Sequence, residues 1–194
     1  VYNAPASGSL KFVATPAGVL VYQNTFVGEV VARGPASNVH FRNNLIISQE
    51  ELDPVFAVGT YTNYSTSDYN AFRPYPGKDG GFEWNTPPPA VPADYKSAPV
   101  VHRFKTLREY SGATGQDTHS VLVDYDTFVA VTMPDKSDPQ RLYKPDGLDF
   151  RLRPGSAAVD AGVALPSIND DFTGRAPDIG AYEIGRPVPH HGPR

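Results

Sequence analysis

Val19 and Val21 in Val19-Leu20-Val21-Tyr22 mark every second position as apolar and β-branched, and in the matching Val39-His40-Phe41-Arg42 apolar and polar residues alternate outright. The stretches 19–26 and 39–46 align without a gap and end alike, on Asn24-Thr25-Phe26 and Asn44-Leu45-Ile46, which sets a repeat of 20 residues. A period of two predicts a strand with one buried face. Val19, Val21, Val39 and Phe41 then point inward, and Leu20, Tyr22, His40 and Arg42 point outward. Asn24 and Asn44 close their strands where the chain must bend. Asn tolerates left-handed φ, so these positions are expected to take the bend. Their amides can also bond to one another from layer to layer.

One β phrase per 20 to 25 residues is a solenoid signature, and each phrase reads as one turn of a parallel β-helix. Asn3 and Asn70 extend the series more weakly, with Phe72 in the place of Phe26 and Ile46. The longer interval before Asn70 leaves room for a loop within residues 48–62. The competing reading is unrelated Asn residues between the hairpins of a β-sandwich. Residues 8–13 and 29–32 are further short strands, with turns at Gly28, Gly34-Pro35 and Ser37-Asn38. The acidic stretch 49–54 reads as a solvated loop, or as a carboxylate cluster for a cation or a sugar. From Arg73 to Val101 the period is lost among Pro, Gly and aromatic residues, and Pro87-Pro88-Pro89 is barred from a sheet interior. Trp84 is either a stacking surface for sugar or an anchor for this loop. Thr106 and Glu109 form a capping box for a helix of one or two turns, ended near Gly112. Residues 118–131 alternate again. Three segments result: coils over 1–72, a loop and short helix over 73–113, and last strands, cap and extended tail over 114–194.

Composition narrows the class. A chain of 194 residues can bury one real core, and 20 Pro with 17 Gly suit a turn-rich β protein. The net charge of -4 and scattered basic residues argue against a nucleic-acid partner. No apolar run is long enough to span a bilayer. With no cysteine there is no disulfide scaffold and no thiolate metal site. Asn63-Tyr64-Ser65 is a formal glycosylation sequon, and no glycan is expected there. Val1-Tyr2-Asn3 reads as the tail of a coil whose first half is missing. The expectation is therefore that this is the C-terminal portion of a longer β-helix, the remainder being a separate chain, a fragment or an unbuilt segment.

Residues 150–162, Phe-Arg-Leu-Arg-Pro-Gly-Ser-Ala-Ala-Val-Asp-Ala-Gly, are followed by Pro177-Asp178-Ile179-Gly180-Ala181-Tyr182-Glu183. Together they resemble the C-terminal signature of bacterial right-handed parallel β-helix repeat proteins of the pectate-lyase-like superfamily. Residues 114–120 and 124–128 resemble the connection that precedes it. Physically, Pro154-Gly155 makes a turn, Ser156 can cap a short helical turn that Gly162 stops, and Gly180 permits close backbone approach. The segment is expected to close the last coil. Asp170, Asp171, Asp178 and Glu183 could hold Ca²⁺ through oxygen ligands, or serve as caps and salt bridges to Arg175. His190-His191 in the tail could hold a metal.

The resemblance implies an all-β, right-handed parallel β-helix from a secreted, cell-surface or periplasmic protein directed at polysaccharide. The activities it implies are polysaccharide lyase or glycoside hydrolase, with the main catalytic residues upstream of Val1. Non-catalytic carbohydrate binding and a structural surface role are the alternatives. Within this chain, His40 and Arg42 are the candidates for base and carboxylate clamp. Tyr22 and Trp84 are the candidate substrate contacts, no metal ligand is assigned, and the only cofactor considered is Ca²⁺. The partners expected are polysaccharide and the remainder of the helix, with no nucleic acid and no membrane span.

Overall fold

A computed structural model describes residues 8–49, 53–60, 64–77, 80–86, 100–138 and 140–188. The 20-residue repeat becomes a parallel strand pair. β1 (Ala17–Tyr22) lies beside β3 (Val30–Arg42) with Val19 opposite Val39 and Tyr22 opposite Arg42. β2 (Thr25–Val27), β4 (Leu45–Ile47) and β7 (Ala71–Arg73) form a second parallel set, in which Phe26, Ile46 and Phe72 share one register position. β5 (Phe56–Thr60) pairs with the first half of β3, and β6 (Thr66–Asp68) pairs with its second half. The chain is mostly β with parallel sheets, and α1 (Leu107–Thr114) is the one α-helix among the described residues.

Several expectations shift. Gly34 and Asn38 are not turns between strands; both lie inside β3, which passes from one sheet to the next without leaving strand pairing. The corner is possible because Gly34 lies against the Phe12 carbonyl, where a Cβ would sit 2.4 Å from the oxygen. Asn38 takes the bend at φ 56°. The stretch 48–62 has room for the expected loop before β5, and it also holds that wholly buried strand. The six extra residues fall between β4 and β5. Nor does the period end at Arg73. β8 (Phe82–Asn85) continues it, with Phe82 opposite Phe56 and Trp84 opposite Val58.

Asparagines stack as the repeat predicts. Asn24 Nδ2 donates to Asn44 Oδ1 at 3.0 Å, and Asn44 Nδ2 donates to Asn70 Oδ1 at 3.0 Å. The backbone amides of Asn24 and Asn44 donate to the same oxygens. Asn70 Nδ2 then donates to Asp117 Oδ1 at 2.8 Å, so a carboxylate ends the ladder. The left-handed bend falls one residue earlier than expected, at Gln23, Asn43 and Tyr69, with φ of 55°, 55° and 56°. A ladder amide must face inward to meet its neighbours, so the residue before it turns the chain and points outward. Asn3 lies outside the described residues.

Inside, Phe12, Phe41, Phe56, Phe72 and Phe82 form a continuous aromatic column, with centroids 5.0 to 6.3 Å apart. Its upper end is closed by α1 and the antiparallel strand β9 (Arg103–Phe104). Tyr110 lies flat on Phe82 at 5.3 Å, fully buried. The capping box of Thr106 and Glu109 forms as expected, but the helix runs on to a left-handed Gly115 rather than stopping at Gly112.

The C-terminal segment takes a different place from the one expected. After β10 (Val121–Leu122), which pairs with β7, comes the antiparallel pair β11 (Phe128–Ala130) and β12 (Asp149–Leu152). From there the chain runs back along the outer face of the β2–β4–β7 sheet rather than over the last coil. Leu45, Ile47 and Ala71 bury against Phe128, Leu152, Ala158 and Ile179. Gly180 N donates to the Asn43 carbonyl at 2.8 Å, and a Cβ there would meet Thr25 Oγ1 at 2.9 Å. Ser156 does not cap a helical turn: its buried hydroxyl has no partner, and its carbonyl accepts from Val159 N instead.

Candidate functional site

The outward face of the β1–β3–β6 sheet gathers the chemistry. Register places Tyr22, Arg42 and Asp68 in one column across three strands, and Leu20, His40 and Thr66 in the column beside it. Residues 115–120, which follow α1, set His119 above Asp68. Its backbone amide donates to Asp68 Oδ1 at 2.8 Å, and its Nδ1 lies 2.7 Å from Asp68 Oδ2. The imidazole also stacks on Tyr69, 4.7 Å between centroids and 7° from parallel. At about 4.8 Å per layer, Tyr22 to His119 spans about 14 Å.

His40 is fully engaged. Its Nδ1 is 2.8 Å from Thr66 Oγ1 and its Nε2 is 3.0 Å from Asn38 Oδ1. Burial, and then the Arg42 charge, lower its pKa, so the neutral ring is favoured. One tautomer satisfies every group. Thr66 donates to Nδ1, and Nε2–H donates to Asn38. No lone pair remains to take a substrate proton, so His40 supports Thr66 and Arg42 rather than acting as the base.

His119 is the reverse case. Asp68 accepts from Nδ1, which leaves the lone pair on Nε2, and no described residue bonds that nitrogen. The side chain is 59% exposed. Burial tends to raise the Asp68 pKa, but the hydrogen bonds from His119 and from Tyr69 N outweigh it and hold it low. A carboxylate fixing the tautomer of an exposed imidazole is a general-base arrangement. Sequence reading missed it because Asp68 and His119 stand 51 positions apart.

Arg42 is a cation with no carboxylate partner among the described residues. It donates to the Phe41 carbonyl and to Thr66 Oγ1, each within 2.8 Å, and is half-buried. Arg33 and Arg103, by contrast, clamp the buried Glu83, and Arg73 pairs with Asp124. Those pairs hold strands together; Arg42 is held by neutral groups and faces outward.

Trp84 takes the anchoring role. It is 7% exposed and packs 6.4 Å from Tyr110, so no open ring face is offered to a sugar. The acidic residues near the C-terminus are occupied by backbone amides. Asp178 accepts from Asp160 N and Ile184 N, Glu183 from Thr173 N and Asp178 N, and Asp170 from Ser167 N. Arg175 pairs with Asp160, and Asp171 with Arg186. Among the described residues no group of three or more His, Asp or Glu is placed to hold a metal ion. No helix among them is long and apolar enough to cross a membrane. Asn63, His190 and His191 lie outside the described residues.

Comparison with protein-family models, curated proteins and solved structures finds no match to this chain.

Proposed function

We propose that the chain forms coils of a secreted right-handed parallel β-helix whose β1–β3–β6 face binds uronate-bearing polysaccharide and cleaves it by β-elimination. The observation that carries this is the juxtaposition, along one outward column, of an Arg with no carboxylate partner among the described residues and a His whose Nδ1 is held by Asp68 so that Nε2 faces out. The coil architecture is supported by three sets of in-register parallel strands and by the Asn ladder through them.

Arg42 pairs with the uronate carboxylate and so acidifies the adjacent C5–H. His119 Nε2 takes that proton. The C4–O bond breaks, a C4=C5 double bond forms, and the departing sugar oxygen takes a proton from solvent. Backbone layers bearing Arg42 and His119 are about 10 Å apart, a span the two side chains can close around one sugar ring. Tyr22 flanks the next ring along the column. Glycoside hydrolysis is less well supported, because it needs paired carboxylates and Asp68 is engaged by His119.

The test is incubation with a panel of uronate polymers, read by ultraviolet absorbance of unsaturated products. Product should form, and H119Q should lower kcat by about 10² to 10⁴. R42A should raise KM and also lower kcat, because the same contact binds the carboxylate and acidifies C5–H. Saturable binding without product points to a carbohydrate-binding protein instead. Neither binding nor product on any uronate polymer removes the proposal.

A further inference from the structure

A cavity of about 510 Å³ opens at the upper end of the stack, where α1 and β9 close over the core. Two aromatic side chains, Trp84 and Phe104, line it with the neutral hydroxyls and amide of Thr86, Thr114 and Gln116 and the imidazole of His102. The described lining contains no carboxylate, lysine or arginine, unlike the column that carries Arg42, Asp68 and His119. The volume falls within the range of small-molecule sites, which combine an apolar wall with a few orienting polar groups.

We infer that this cavity binds one neutral sugar unit at a site separate from the Arg42 column. The chemistry matches on both counts. Phe104 and the small part of Trp84 left uncovered give the cavity an apolar wall for the C–H groups of a pyranose. The Thr86 hydroxyl, the Gln116 amide and the His102 imidazole can donate and accept as sugar hydroxyls require, while Thr114 Oγ1 is already engaged by the Tyr110 carbonyl and Gln116 N. Among the described lining residues there is no counter-ion for a charged ligand, which disfavours uronates here. Polar capacity is also available. The His102 backbone amide is used by Asn85 Oδ1, while its ring makes no hydrogen bond with a described residue. Gln116 uses Oε1 to accept from Ser67 N, and its Nε2 remains open to a ligand.

Trp84 is the sole tryptophan of the chain, so its emission reports the site directly. The full chain is titrated with glucose, galactose, mannose and N-acetylglucosamine, following Trp84 fluorescence. At least one should give a saturable change, weakened at least 5-fold in H102A and lost in A113F. Ala113 is exposed on α1 and lines the cavity, so a phenylalanine there fills it without entering the core. R42A should leave the titration unchanged, which separates this site from the lyase reading. No saturable change with any of the four sugars overturns the inference. So does a change that A113F leaves intact while circular dichroism shows the fold preserved.

Discussion

At the scale of single residues, Asp117 has the most consequential environment. It is wholly buried at the end of the Asn ladder, where Oδ1 accepts from Asn70 and Ser120. Its Oδ2 has no partner of good geometry and is approached by the buried Tyr110 hydroxyl. Burial raises its pKa, against the bonds from Asn70 and Ser120 and the approach of the Tyr110 hydroxyl, which work to lower it. A carboxyl raised on folding favours the native state at low pH. That contribution is lost as pH climbs from about 4 through the folded-state value. Asp117→Asn keeps the acceptor and removes the charge. The variant should gain about 1–3 kcal/mol over wild type at neutral pH, with the difference shrinking toward pH 4. Urea unfolding at a series of pH values measures it, and a variant less stable than wild type at pH 7 refutes the account. At the face, D68N should mimic H119Q in kcat if Asp68 sets the tautomer. A purely structural Asp68 would instead lower thermal stability and leave the pH profile in place.

At the scale of elements, the amide ladder and the helix that closes the core bear most of the weight. Asn44 makes bonds in both directions and is fully buried, whereas Asn24 is only half-buried at the lower edge. Asn44→Ala should cost about 3 kcal/mol, since it orphans buried partners on two layers, and Asn24→Ala clearly less. Equal losses in urea titrations would mean that stacking is not what stabilises these positions. Tyr110→Ala should cost about 3–5 kcal/mol, because it uncovers Phe56, Phe82 and Trp84 together. The ladder was legible in sequence because its phrase recurs without a gap. β8 was not. Glu83 occupies an outward position and is neutralised by Arg33 and Arg103, which come from 50 residues before and 20 after it. A charge flanked by Gly and Pro looks like loop until those partners are known. The left-handed bend was misplaced by one residue for a related reason. Asn can both bend and stack, and only the inward ladder geometry decides which.

At the scale of the whole molecule, two packed bodies of side chains meet across the β2–β4–β7 sheet. One is the aromatic column inside the coils; the other joins the outer side of that sheet to the C-terminal segment. Sequence identified the segment 150–183 as a closure but put it over the last coil instead of along the β2–β4–β7 sheet. Its contacts with Gln23 and Asn43 jump 120 to 157 positions, and no local pattern encodes them. Gly162 and Gly180 set the distance of approach. Gly180→Ala meets both a φ of 114° and Thr25 Oγ1. It should loosen the segment, raise dye binding to the uncovered Leu45 and Ile47, and speed hydrogen exchange at residues 158–184. Unchanged exchange there would show that the segment is held without this contact.

The ladder joins positions at nearly constant height although the chain between them lengthens from Asn24 to Asn44, to Asn70 and to Asp117. Cohesion between floors is therefore lateral and does not depend on a continuous thread. A protease nick after Pro76, in the exposed turn beyond β7, would leave two fragments clasped by β5 with β8, β7 with β10 and the C-terminal strap. Expressed separately, the two pieces should find one another and reconstitute a single particle.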